Sequence, residues 1–392
     1  MPYTRLSGFY LFYFAVLGAM VPYWPVYLDS LDFSAREIGL FMAIILGTKI
    51  IAPNLWGWLS DRSGFRMPWV RAGSLLGVLG FIAVPWVEGF WSLALLMLAF
   101  SFFWNAVLSQ FEANTFNHLR GAHERYSLIR LWGSVGFIIA AVGLGPLLEG
   151  AGIHWLPWLV LGGLAAIWLS AMVTPEGPGQ GQEGHEHTPL RSLLSNPAVL
   201  AFLAACLLMQ ASHGPYYTFF SLYMGEIGYS GLTVGILWGL GVGAEVGLFL
   251  VMAWLMRRFT LRLLLVASFV LAAARWLLIG LWPEQLGLLL LAQLFHAASF
   301  GSFHAAAIAL VHRVFNGPNQ GIGQALYSSL TFGAGGALGS LSSGLLWESL
   351  GPTGTYLLAG AVAATGAALA AWAVPRLQEK GAVPFSSTSR NS

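Results

Sequence analysis

Gly57-Trp58-Leu59-Ser60-Asp61-Arg62-Ser63-Gly64-Phe65-Arg66 lies between two predominantly apolar runs, residues 35–55 and 68–84. Roughly 20 apolar residues, rising about 1.5 Å each in a helix, cross a hydrocarbon core of about 30 Å. The charged segment therefore reads as a turn joining two membrane passes. The same pattern spreads outward over all 392 residues, of which 57% are hydrophobic and only 9% charged. A soluble domain carries about 25% charged residues. The chain reads as an all-α integral membrane protein of about twelve passes. The first, residues 7–28, is too long and too rich in Tyr, Trp and Pro for a cleaved signal, and no small-residue cleavage site follows it.

Basic residues fall in alternate connections: Arg62, Arg66 and Arg71, then Arg120 and Arg125, Arg191, Arg257, Arg258 and Arg262, Arg313, and Arg376, Lys380 and Arg390. Positive-inside topology puts these in the cytoplasm with Arg5, leaves Arg36 outside, and makes both termini of this multi-pass cell-membrane protein cytoplasmic. One link differs in composition. Residues 174–197 are rich in Gly, Pro and Glu and suit a flexible linker, in which His185 and His187 read as solvated side chains. The linker separates a bundle at 1–173 from one at 198–374, and a cytoplasmic tail occupies 375–392. Leu31-Asp32-Phe33-Ser34 with Ile38-Gly39 is echoed by Ile227-Gly228-Tyr229-Ser230 with Val234-Gly235, between the first and second passes of each half. Two pseudo-symmetric six-helix bundles enclosing a cavity are expected. Ser34-Ala35-Arg36-Glu37 reads as a capping box opening the second pass.

The turn at 57–66 matches G-x-x-x-D-[RK]-x-G-x-[RK], and so resembles the signature loop of the major facilitator superfamily at the place that family carries it. The resemblance implies alternating access, with Gly57, Asp61, Arg62, Gly64 and Arg66 as a conformational latch. Asp61 can hold a helix end or an Arg, while Gly57 and Gly64 permit close approach and a tight turn. The equivalent link of the second half, Met256 to Arg262, lacks both the acid and the glycines.

Ionisable groups at membrane depth are few: Lys49, Glu112, Arg130, Glu245 and Arg275, with His213, His296 and His304. Charges in hydrocarbon cost a few kcal/mol even on lenient scales, so such groups pair or face a wet cavity. His296 and His304, eight residues apart, fall within about 80° of each other on a helix. Glu112 and Arg130, with Leu131-Trp132-Gly133-Ser134-Val135-Gly136-Phe137, are similar to the substrate-binding acid and arginine of lactose permease-type proton symporters. Glu245, Arg275 and His296 fall where those symporters keep their coupling network. The stretches Gln210 to Tyr217, Gly243-Ala244-Glu245-Val246, Arg275-Trp276 and Gln293-Leu294-Phe295-His296 resemble the 3-phenylpropionate permease branch. That likeness spans nearly all of the chain outside the linker and tail. One departure is that Ser299, and no second carboxylate, stands near His296, which points to Glu245 as the proton carrier.

Proton coupling is thus expected of Glu245, Arg275, His296 and His304, and substrate contact of Lys49, Glu112, Arg130, His213, Tyr216, Tyr217 and Trp132. A carboxylate whose Arg contact changes between access states can take up and release a proton cyclically. Three cations against two carboxylates favour an organic anion, and Arg can clamp a carboxylate bidentately. Tyr216, Tyr217 and Trp132, with Trp104, can stack on its apolar body. The expected activity is proton-driven uptake of a small organic solute, an aromatic monocarboxylate such as 3-phenylpropionate first. Sugar or nucleoside symport is the alternative, as is drug or metabolite antiport, for which Ala141-x-x-x-Gly145-Pro146-x-x-Glu149-Gly150 partly resembles a facilitator-antiporter motif. The lone Cys206 excludes a disulfide framework or CxxC metal site, so no cofactor beyond the proton gradient is expected. Without HExxH or a placed nucleophile, no enzyme is expected. The basic residues follow topology, which argues against nucleic acid as a partner. The partners are then the bilayer, the substrate and protons, acting on a monomer.

Overall fold

The computed structural model describes residues 1–119, 125–178 and 193–380, excepting the side chains of 318 and 378–380. Arg120, His185, His187, Arg191 and Arg390 lie outside the described residues. Among the described residues, eleven helical stretches are long and apolar enough to span a membrane. They are α1 (Tyr3–Asp29), α2 (Ala35–Ser63), α3 (Met67–Trp86), α4 (Phe90–Leu119), α5 (Tyr126–Ala151), α6 (Ile153–Val173), α7 (Pro197–Ile227), α8 (Gly231–Arg258), α9 (Leu261–Leu281), α10 (Leu286–Val314) and a last of 58 residues, Gln320–Leu377. That last stretch is two passes. Gly351, at φ 66° and ψ 174°, breaks it just before Pro352, giving α11 (320–350) and α12 (352–377). Only glycine adopts that conformation without strain, and the following proline cannot donate to a continuing helix.

The expected capping box forms: the Ser34 hydroxyl accepts from the Glu37 amide, and Glu37 Oε2 accepts from the Ser34 amide at 2.9 Å. At the equivalent place in the second half the Ser230 hydroxyl caps α8 by accepting from the Thr233 amide, without a reciprocal carboxylate. The preceding turns match too. Asp32 (φ 60°) is the one non-glycine with positive φ among the described residues, and its counterpart in the repeat is Gly228 (φ 102°).

Helix pairing follows the same pseudo-symmetry. Within the first bundle α1 packs on α5 through Gly18 and Gly136, and within the second α7 packs on α11 through Gly214, Gly335 and Gly339. Between bundles α2 packs on α11 and α5 on α8, two contacts that the repeat exchanges. Gly39 and Gly344 bring α2 and α11 into backbone contact; a Cβ on Gly39 would sit 2.7 Å from Gly344 Cα. At the corresponding end of α5, Glu149 Oε2 accepts from the Gly231 amide that opens α8, at 2.8 Å. The Tyr23 hydroxyl of α1 donates to Ala141 O nearby. Gly39 with Gly344 and Glu149 with Gly231 thus join the bundles at the end that carries the α1–α2 and α7–α8 turns, and Asn54 Nδ2 of α2 donates to Ser329 Oγ of α11 at 2.9 Å further along.

Among the described residues, four passes are irregular away from their ends, where sequence periodicity predicts continuous helix. α2 tightens to a 3-10 turn at Thr48–Ile50, α7 breaks at His213, and α10 and α11 widen to π-helix over Ala297–Ser302 and Ser329–Gly335. Apolar runs do not encode such changes. They free backbone groups and re-aim side chains, and persist where helices enclose a site.

Candidate functional site

The four irregular segments meet at a cavity of about 220 Å³ between the bundles. Lys49 belongs to the 3-10 turn, Gln210 and Tyr216 flank the break at His213, and Phe300 and Phe332 lie within the π segments. Most of the wall is apolar. Its aromatic part comprises Phe14, Trp104 and Phe137 from the first bundle and Tyr216, Tyr217, Trp238, Phe300 and Phe332 from the second. Ser134 and Gln210 add neutral polar groups, and Lys49, Arg130, Glu245 and His296 add ionisable ones.

On the first-bundle side the cations are free. Among the described residues neither Lys49 nor Arg130 enters an ion pair. The Arg130 guanidinium lies over the Phe14 ring at 3.8 Å and at 5.9 Å from that of Tyr10, a cation–π arrangement that leaves its N–H groups available. α5 presents Arg130, Ser134 and Phe137 to the cavity, the i, i+4, i+7 face of a helix.

On the second-bundle side the charges are tied together. Glu245 Oε2 of α8 lies 3.7 Å from His296 Nε2 of α10. His296 Nδ1 is 3.0 Å from Arg275 NH1 of α9. Arg275 NH2 donates to Gln293 Oε1 at 3.0 Å, and the Tyr216 hydroxyl donates to the same oxygen at 2.9 Å. Arg275 is fully buried, stacked 4.0 Å over Tyr216 and 4.7 Å from the centre of the Trp276 ring. A chain of contacts therefore runs from Tyr216 through Gln293, Arg275 and His296 to Glu245, with both ends on the cavity.

Four candidate residues stand elsewhere. Trp132 is two residues past Arg130, about 200° around the helix; it is 40% exposed and donates to the Tyr3 hydroxyl at 2.9 Å, away from the cavity. Glu112 lies two turns beyond Trp104, about 12 Å along α4, and accepts from the Tyr126 hydroxyl at 3.1 Å in place of pairing with Arg130. His213 is buried with Nδ1 2.8 Å from Met209 O and its ring edge-on to Trp276. His304 bonds the Tyr327 hydroxyl at 3.1 Å rather than joining His296. Spacing places a residue on a helix face. It does not say which neighbour that face meets.

The 57–66 turn is tied within the first bundle. Asp61 pairs with Arg66 at 2.9 Å, Arg66 NH1 and the Ser60 hydroxyl donate to Gln110 Oε1 of α4 at 2.8 and 2.6 Å, and Gly64 ends α2 at φ 74°. Gly57 faces the Gln110 amide, and Arg62 lies 4.9 Å from the Trp58 ring. The carboxylate of Glu176 accepts from the Arg66 and Met67 amides at the start of α3, at 3.0 and 2.8 Å. Asn114 binds the Gly177 amide at 2.7 Å and Arg71 binds Thr174 O at 3.0 Å. The first residues of the linker are therefore pinned to the bundle, contrary to the flexibility their composition suggests. Glycine and proline content reports what a free segment does, whereas Glu176 here finds a helix N-terminus that attracts a carboxylate.

Residues 3–358 match the model of the MFS_1 like family. The chain belongs to that family. It is a secondary transporter of major facilitator type and not an enzyme. Among curated relatives of this MFS_1 like protein is the "Probable 3-phenylpropionic acid transporter" of Escherichia coli (strain K12), 29% identical over 357 residues, which are 87% of this chain and 90% of that one. The "Maltose permease" of Geobacillus stearothermophilus is 24% identical over 351 residues, 88% of each chain. Among solved structures, the nucleoside transporter NupG superposes with a TM-score of 0.83 at 18% identity, covering 95% of this chain and 99% of that one, a likeness of fold.

Sequence reasoning alone does not reach Gln293, Gln210, Trp238, Phe14, Phe300 or Phe332 as site residues. The two glutamines had a usable signal, being uncharged polar residues inside apolar passes. The aromatics had none in a chain that is 14% aromatic.

Proposed function

We propose that the protein takes up a small aromatic monocarboxylate together with a proton, by rocking of the two bundles about the central cavity, with both termini in the cytoplasm. The observation that carries this reading is the pair of free cations, Lys49 and Arg130, facing an aromatic box in the other bundle. An unpaired cation at membrane depth is costly unless a counter-ion or water compensates it, so the wall favours an anion. Two cavity cations against the single carboxylate of Glu245 leave a positive surplus when all are ionised. The box of Tyr216, Tyr217, Trp238, Phe300 and Phe332 suits a flat ring, and neutral hydrogen-bonding groups are few for a polyhydroxylated solute. The relative named for 3-phenylpropionic acid agrees with this chemistry. Coupling is assigned to Glu245 and His296, with Arg275 behind them. An anion bound in the cavity favours the protonated form of the Glu245 carboxyl by like-charge repulsion, so substrate and proton favour one another's occupancy.

A second reading is symport of a nucleoside or sugar. The same aromatic walls stack a base, Gln210, Ser134 and the two tyrosines can bond a sugar, and a permease named for maltose is among the relatives. Uptake into vesicles under an imposed pH gradient separates the readings. 3-Phenylpropionate should accumulate when the outside is acid, while its uncharged amide, uridine and maltose should neither accumulate nor compete. Accumulation of uridine or maltose would select the second reading, and outward flux under the same gradient would select antiport.

A further inference from the structure

The contact chain from Tyr216 to Glu245 contains one ambiguity, namely which group holds the coupling proton. His296 titrates near neutrality when free, and so would be the natural candidate. Its surroundings argue otherwise. Arg275 is a guanidinium that donates only, so the 3.0 Å contact between its NH1 and His296 Nδ1 obliges that nitrogen to accept. A proton on Nδ1 would set N–H against N–H. The ring hydrogen then sits on Nε2, which lies 3.7 Å from Glu245 Oε2. His296 is thereby the neutral Nε2–H form.

What holds Arg275 in this position is Gln293. Arg275 needs an acceptor, which identifies the near amide atom as Oε1, and the Tyr216 hydroxyl shares that oxygen. Gln293 is fully buried and its Nε2 has no partner among the described residues, and neither has Arg275 Nε. A buried donor left without an acceptor is destabilising, because its hydration is lost and not replaced. Packing alone would favour an apolar residue here, so the retained oxygen has a positional use. The titratable and charged groups around His296 are Arg275 from α9, Glu245 from α8, and His213, Tyr216 and Tyr217 from α7, with Arg130 and Lys49 across the cavity. The groups in contact with its two ring nitrogens are the donor Arg275 and the carboxylate of Glu245.

We infer that the coupling proton resides on Glu245 alone, that His296 is a non-titrating bridge, and that Gln293 is the positioning residue that keeps it so. Loading forms one O–H bond on the Glu245 carboxyl with a proton from the aqueous side, and release returns that proton; His296 neither gains nor loses one. The inference rests on the proton-symport reading and adds the assignment within it.

The test compares Glu245→Gln, His296→Gln and Gln293→Leu in vesicles, following substrate accumulation and substrate-driven proton uptake, with substrate exchange as the control for a folded protein. Glu245→Gln should lose accumulation and proton uptake while exchanging substrate. Glutamine at 296 keeps a carbonyl for Arg275 and an N–H for Glu245 without a titrating group. His296→Gln should therefore slow transport about tenfold yet still respond to the pH gradient. Gln293→Leu should shift the pH midpoint of proton uptake by about one unit, which loss of packing alone would not do. Nitrogen-15 spectra of the histidines in the native protein give a readout independent of any variant: His296, assigned by its absence in His296→Gln, should remain the neutral Nε2–H form between about pH 5 and 8. An imidazolium signal in that range, or a His296→Gln that exchanges substrate but no longer responds to the gradient, would overturn the assignment. Normal accumulation by Glu245→Gln would overturn it too, whereas native protein whose accumulation ignores the imposed pH gradient would remove the proton-symport reading beneath it.

Discussion

The two walls of the cavity are built on opposite plans. The first-bundle wall presents Lys49 and Arg130 with no ionic partner among the described residues, whereas the second-bundle wall binds Arg275, His296, Gln293, Tyr216 and Glu245 into one connected set. Free cations have energy to gain from a ligand and little to lose on binding it. Tied groups have their partners already, so a change at one end must be felt at the other. The proposed function thus puts the cations that would meet a substrate anion on the first bundle and the proposed coupling groups on the second, with the aromatic box of the second bundle shared between the two tasks.

The largest effect that would break this division is at Glu245. Glu245→Gln should lower proton-driven accumulation by more than about 100-fold while sparing exchange; wild-type accumulation would take that residue out of the mechanism. Next is Arg130→Lys, which replaces a planar fork by a point charge and should weaken an aromatic carboxylate about tenfold or more in a binding titration, with its uncharged amide unaffected. Equal losses for acid and amide would mean that Arg130 acts through structure. Tyr216→Phe removes the hydroxyl at the cavity end of the tied set. A change of about 0.5–1.5 kcal/mol is expected, larger in proton-coupled rate than in substrate affinity. The smallest effect is Trp132→Phe, whose side chain lies outside the cavity. Stability and uptake should stay within about 0.5 kcal/mol of native, and a tenfold loss of affinity would put the indole back in the site.

The same contrast separates what was readable from sequence. Arg130 and Glu245 could be chosen by type, because a charge inside an apolar pass is rare enough to need a reason, and both line the cavity. Trp132 rests on the resemblance of its stretch and on its aromatic type, and His304 on its type and its spacing from His296. The structure turns Trp132 to the outer face and gives His304 to Tyr327. Gln293 is as polar as the histidine three residues on, but a neutral amide draws no attention until an arginine is seen to donate to it.

By itself the sequence determined the membrane class, the all-α architecture, the capped second helix and the repeat that relates Asp32 to Gly228, since these follow from composition, period and local hydrogen-bonding within a few residues. Only the tertiary structure decided that α2, α7, α10 and α11 are distorted at one level, that Glu176 docks on α3, and that Arg275 spends its donors on His296 and Gln293. Those outcomes depend on partners from other helices, whose approach is set by packing and by where glycines let backbones touch. No reading along a single helix contains that information.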